Sequence, residues 1–234
     1  MSGFGFMITD AIGALAAVPV LALFMLLPGW VIGHAVDLMS FRHRRFVGRA
    51  LLAILLSFAI SPSVCYLLAR VVHPDAVWLY HGVAWFGAAL HVAVRMHRWQ
   101  HLPLDEPFDV HVNLGLAFAA LWVLLATASL IDFQWGDALF PSWIVDQQKH
   151  MNVAGALLRT GIPPANASYA PEGQAFPLFY YYFWHQIPAL AGKLAGYLSV
   201  RSLVFGTTIW SGVAVVAAAA VFTRYLPRRA AARR

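Results

Sequence analysis

Residues 11–33, 50–69, 76–94, 110–131, 173–192 and 202–223 contain no Asp, Glu, Lys or Arg, and run to 23, 20, 19, 22, 20 and 22 residues. About 20 apolar residues carry a helix across the hydrocarbon core of a bilayer. Lipid offers no partner for a backbone N–H or C=O, so such runs must bond within themselves, as helices. The whole chain is 61% hydrophobic and 11% charged, whereas a soluble domain carries roughly a quarter of charged residues. These features predict an all-α, polytopic membrane helical bundle of about six transmembrane helices.

The longest polar interval lies between the fourth and fifth runs. The chain therefore divides into four transmembrane helices over 1–132, an outer loop over 133–175, and two more transmembrane helices with a basic tail over 176–234. The first run has no basic residues before it and exceeds the ~7–15 residues of a signal core, so it reads as an anchor. Cys65 is the single cysteine and lies inside the second run, which excludes a disulfide framework or a cysteine metal cluster. A net charge of +6 would suit nucleic acid, but the arginines flank the apolar runs, where lipid headgroups lie. Nucleic acid is not expected as a partner.

Basic residues near span ends favour the cytoplasmic side. Residues 1–10 hold none, while the first connection holds Arg42, Arg44, Arg45 and Arg49, so the N-terminus is expected outside. Six crossings then put Arg95, Arg98, Lys193 and Arg201 inside, with Arg70, Lys149 and Arg159 outside. They also put Arg224, Arg228, Arg229, Arg233 and Arg234 outside, which levels the count at eight on each side. Three readings remove the conflict: the fifth run re-enters, the topology is inverted, or the chain is the front part of a longer protein. The last is the expectation here. It agrees with a bacterial inner (cytoplasmic) membrane location and an outward-facing long loop.

That loop carries the chemistry. Ser142 suits a helix N-cap, and Arg159-Thr160-Gly161 followed by Pro163-Pro164 is a helix stop. A helix near 143–160 with Asp146, Lys149, His150 and Arg159 is too polar to cross, so it is expected to lie along the membrane surface with Ile144, Met151 and Leu158 as its apolar stripe. Asp146 and His150 stand one turn apart on one face. Such a pair can accept a proton, hold a divalent cation or position a hydroxyl; the same spacing also fits a local hydrogen-bonded pair on a solvated helix. Two ligands are too few for a metal, which would need oxygens from another segment or a lipid phosphate. Beyond the loop, "FPLFYYYFWHQIP" re-enters the apolar phase, and Tyr181 and His185 share a helix face. They suit either a pocket wall or an interhelical hydrogen bond. No apolar run contains a charged residue, which argues against an ion- or substrate-coupled transporter.

The succession Asp146-x-x-x-His150, "ALLRTGIPP", a loop, then "FYYYFWHQIPALAGKLAG" resembles the first large outer loop of the GT-C class of membrane glycosyltransferases. The opening spans are similar to those of larger members. The resemblance implies transfer of a sugar from a polyprenyl-phosphate carrier at the outer face of the cell envelope. It makes Asp146 the loop carboxylate, acting as base or as ligand of a divalent cation (Mg or Mn) shared with the lipid phosphate. It makes Lys149, His150 and Arg159 partners of that phosphate, and Tyr181 and His185 the wall of the carrier or acceptor groove. Membrane lipid and a polyprenyl-phosphate-linked sugar are the partners it implies. Two departures stand beside it: His150 replaces the second acidic residue found in many members, and their later spans and outer domain have no counterpart here. A non-catalytic scaffold or assembly subunit is the competing class.

Overall fold

The computed structural model describes residues 4–97, 110–135, 138–140, 145–162, 164–165 and 184–225, with the backbone alone at some of these, residues 145–147 among them. Eight α-helices follow in order: α1 Phe4–Met25, α2 Leu27–Val36, α3 Phe46–Leu67, α4 Ala76–His97, α5 Val110–Ala128, α6 Val145–Thr160, α7 Gln186–Leu194 and α8 Val200–Tyr225. A hairpin of two three-residue strands, Phe133–Trp135 and Ala138–Phe140, precedes α6. The all-α membrane bundle is as the apolar runs require. Four helical stretches among the described residues are long and apolar enough to cross a membrane: Ile8–Val36, Phe46–Val72, Ala76–Val94 and Val200–Phe222.

The first of these is broken between α1 and α2. Pro28 has no N–H to give and its ring displaces the preceding turn, so Leu26 leaves helical geometry at φ −121°. Below the break Phe41 packs against Gly33, and Arg42 folds back on α2, its Nε donating to the His34 carbonyl at 2.7 Å and its Nη2 to that of Ala35 at 3.1 Å. A cation on the last carbonyls of a helix offsets the negative end of its dipole. The core lies where α1, α3, α4, α7 and α8 meet, around Leu21, Phe24, Cys65, Ile187, Leu203 and Trp210. Side chains such as Ile12, Leu79, Phe86, Phe118 and Phe222 stay exposed on the outside of the bundle, the surface that lipid covers.

Contacts fix the direction of each crossing. Gly13 lies against Ser202, Gly206 against Ala17 and Leu21, and the Trp210 indole donates to the Val18 carbonyl at 3.0 Å, so α1 and α8 run parallel. Near its far end α8 brings Val221 to Phe41, Leu52 and Trp30. Gly29 meets Ala53 and Ser57, so α3 returns antiparallel. Trp85 donates to the Leu23 carbonyl at 2.8 Å and the His91 ring lies 4.2 Å from that of His34, tilted by 33°, so α4 again follows α1 and α2. Val123 lies against Gly212 while Asp132 reaches Arg201, so α5 opposes α8. The two ends of the bundle are therefore an aspartate end, with Asp10, Asp132 and Arg201, and an arginine-loop end, with residues 37–45.

The expected position of Lys193 and Arg201 is corrected by this arrangement. Six crossings would separate Arg201 from Asp132 by the membrane, yet Arg201 Nη2 is 2.8 Å from Asp132 and its Nε 2.8 Å from Asp10. Lys193 borders the same cleft as Pro74 and Asp75. The described part of the fifth run is α7, nine residues, or about 14 Å of helix, half of a bilayer core. It starts inside the bundle, where Trp184 packs on Phe58 of α3 at 4.7 Å, and finishes at the aspartate end. The chain thus leaves α5 and enters α8 at the same end of the bundle, so an even number of crossings separates Asp132 from Arg201. Cysteines introduced at Ser40 and Ala231 in a Cys65→Ala background are thus expected to react with an impermeant thiol reagent from the same side of the membrane; labelling from opposite sides would restore the sixth crossing.

The expectation that no crossing helix holds a buried charge is also corrected. Asp10, with 12% of its side chain exposed, and Arg201, with 26%, lie inside helices, and Arg49 is 2% exposed with its guanidinium 5.6 Å from the Trp30 ring. Helices continue past the borders that these very residues drew around the charge-free runs.

Candidate functional site

Helix α6 spans Val145–Thr160, close to the expected 143–160, but it is not a surface helix. Val153, Ala154, Gly155, Ala156 and Leu157 are all buried, and five consecutive residues cover every face of a helix with 3.6 residues per turn. Val153 and Leu157 pack with Ala189 of α7; of the expected stripe, Leu158 packs against this cluster and Met151 is half-buried. Ile144, the third member of that stripe, lies outside the described residues. The seven residues Gln186–Gly192 of α7 are buried as well. α6 and α7 lie side by side and parallel: His150 meets His185 at one end, and Gly161 and Lys193 border one cleft at the other. Gly161 closes α6 in the left-handed region at φ 79°, which glycine adopts without a Cβ penalty.

The contact at the first end is the site. His150 Nδ1 and His185 Nε2 are 2.8 Å apart and share a hydrogen bond, with the rings 5.0 Å apart at 19°. His185 is 5% exposed and His150 half-buried. Both line a cavity of about 250 Å³, with Leu130, Trp184 and Pro188 and, from α8, Val204, Thr207, Thr208 and Ser211. The three hydroxyls spend their protons within α8. Thr207 and Thr208 donate to the Val204 carbonyl at 2.7 and 3.2 Å, and Ser211 to that of Thr207 at 2.8 Å. A hydroxyl whose proton is committed this way offers its neighbours lone pairs, so the α8 wall accepts hydrogen bonds.

Of the residues singled out in the sequence, His150 and His185 are brought into contact. Asp146 stands in the first turn of α6, one turn before His150 on the same face; its side chain lies outside the description, and Tyr181 lies outside the described residues. Lys149 is exposed beside His150. Arg159 does not join them. It sits nine residues, about 14 Å, along α6, exposed and with its guanidinium lying over Gly155. Thr207, Thr208 and Ser211 were missed, although three hydroxyl residues within five positions of an apolar helix are a visible signal. The Asp10–Arg201–Asp132 cluster closes the same end of the bundle. Compared with known proteins, the chain matches no family model, no curated protein and no solved structure.

Proposed function

We propose that the chain is a GT-C-like glycosyltransferase that takes a sugar from a polyprenyl-phosphate carrier, with the α6–α7–α8 cavity as its reaction chamber. The observation that carries this reading is the His150–His185 contact in the wall of a cavity inside the bundle, from which α6 and α7 run to the end opposite the arginine loop. Sidedness supports it. Counted with α8 parallel to α1, the sequence assigns Arg42, Arg44, Arg45, Arg49, Arg95, Arg98 and the five tail arginines to one side, eleven against five. The positive-inside preference then turns the cavity outward, to the face where lipid-linked sugars are consumed.

Asp146 removes the proton of an acceptor hydroxyl, whose oxygen forms the new bond to the anomeric carbon as the carbon–phosphate-oxygen bond breaks. The electron pair leaves with the polyprenyl phosphate, which the Lys149 ammonium meets. Arg159 stands too far along α6 to hold the same phosphate.

The test uses purified protein in vesicles carrying polyprenyl-phosphate-linked mannose, glucose or arabinose, with release of polyprenyl phosphate as the readout. Wild type is expected to release it from at least one carrier, and Asp146→Asn to lower the rate about 10²-fold. Folded wild-type protein that consumes none of the three would leave the non-catalytic scaffold as the reading.

A further inference from the structure

We infer that the cleft between α4, α6 and α7 binds a phosphoglycerol group, its hydroxyls on the Gln186 carboxamide and its phosphate on Lys193. Gln186, Leu190 and Lys193 recur at helical spacing and give α7 a second lined face, turned away from the histidine contact. Trp78 of α4 and Leu157 of α6 complete the apolar walls. Lys193 and Asp75 are exposed at the rim, whereas Gln186 is 2% exposed and forms the inner end. Its Oε1 and Nε2 are buried with no hydrogen-bond partner among the described residues. A buried donor and acceptor left unmade are costly, and more so inside a membrane protein, so this amide calls for a ligand.

The chemistry of the cleft selects the class. A carboxamide presents a donor and an acceptor side by side. An ester, a phosphate or an ammonium satisfies one of the two, while a hydroxyl satisfies both. A secondary amide does so as well, but it carries a substituent on each side. The cleft holds about 40 Å³, a few times the ~10–15 Å³ that one water requires. It admits a short hydroxylated chain and excludes a peptide or a sugar ring. Lys193 stands seven residues, about 10 Å, along α7 from Gln186, at the headgroup level of the aspartate end. Its stem leaves the helix tilted towards the N-terminus, which brings the ammonium back over the cleft to meet an anion. Asp75, whose Oδ2 is 3.5 Å from His73 Nδ1, accepts from a second hydroxyl. Its charge also favours a singly charged phosphodiester over a doubly charged monoester. Phosphoglycerol has these parts in this order, and a phospholipid headgroup presents it at the depth of Lys193. The inference does not depend on sugar transfer.

The test uses delipidated full-length protein in micelles, with bound lipid counted by native mass spectrometry. The probes are phosphatidylglycerol and phosphatidylmethanol, a phosphodiester of equal charge without the hydroxyls. Wild type is expected to bind phosphatidylglycerol about tenfold more tightly, the effect of two hydrogen bonds. Gln186→Met, close in volume, should abolish that preference and leave phosphatidylmethanol binding unchanged. Lys193→Gln should weaken both lipids alike. In lipid-free protein Gln186→Met is expected to slow the exposure of the buried Cys65 thiol on heating, because it removes an unsatisfied amide; lost preference in a more stable protein separates recognition from unfolding. Deacylated phosphatidylglycerol distinguishes the source. Failure to displace the lipid assigns the site to a headgroup, and displacement assigns it to a soluble phosphoglycerol. Equal affinity of wild type for the two lipids would overturn the inference, as would a preference that survives Gln186→Met.

Discussion

Replacing Arg201 by methionine is expected to destabilise the protein by about 3 kcal/mol, as measured by the rate at which Cys65 becomes reactive during thermal unfolding in micelles. Arg201 bridges Asp10 of α1 and Asp132 after α5 at 2.8 Å each, and its guanidinium also lies 5.5 Å from the Phe205 ring. The three side chains are 12–26% exposed, so water screens them weakly, and the cluster already carries a net charge of −1. Removing the cation leaves two neighbouring carboxylates without it, and breaking one partner out of a buried pair costs about 3–5 kcal/mol. The lower figure applies because the site borders the headgroup level. The triple variant Arg201→Met/Asp10→Asn/Asp132→Asn removes the stranded charges along with the cation and is expected to regain more than half of the loss. A cost below about 1 kcal/mol for the single change would place the cluster among exposed ion pairs.

Charge-free run length revealed most of the bundle because bilayer thickness sets it: four of the runs lie in helical stretches long and apolar enough to cross. The fifth fails on the same criterion for a physical reason. A half-helix that enters and leaves by one face, enclosed by other helices, is as apolar as a crossing one, so composition does not separate them. Parity did hold the answer. The tail arginines fall on the side of the first-loop arginines only if α8 runs parallel to α1, which requires an odd number of crossings. Asp10 and Arg49 are buried and Arg201 half-buried although each stands directly beside a charge-free run, because helices extend past the last uncharged residue.

At the site, helix periodicity put Asp146 and His150 on one face, but periodicity acts within a helix. His185 is a neighbour of His150 because α6 and α7 pack in parallel, and no local pattern encodes that register. The helix stop at Gly161 was readable because glycine and proline act through their own backbone. The burial of α6 was not, since a helix with Asp, Lys, His and Arg among its residues reads as solvated until Val153–Leu157 are seen enclosed by α7 and α8.

Gly29→Ala is expected to cost about 3 kcal/mol, at the upper end of overpacking effects, by the same Cys65 reactivity measurement. A Cβ at this position would run into the Ala53 carbonyl oxygen and approach the Ser57 amide nitrogen to 2.7 Å. Both are backbone atoms of α3, so no rotamer change relieves the contact and the two helices must separate. The separation also stretches the hydrogen bond in which the Gly29 N–H, freed at the α1–α2 break, donates to the Ser57 hydroxyl at 2.7 Å. Gly29 and Gly33 form the small-xxx-small spacing that lets helices approach closely in lipid, and Gly33 receives the Phe41 ring on the same side. Ser57→Ala removes the hydrogen bond alone and leaves the packing, so about 1 kcal/mol is expected. Because α2 and α3 carry the arginine loop between them, a loss of that size should also loosen Phe41 from its pocket while the His150–His185 contact at the other end persists. An equal cost for Gly29→Ala and Ser57→Ala would mean that the hydrogen bond, rather than backbone proximity, joins the two helices.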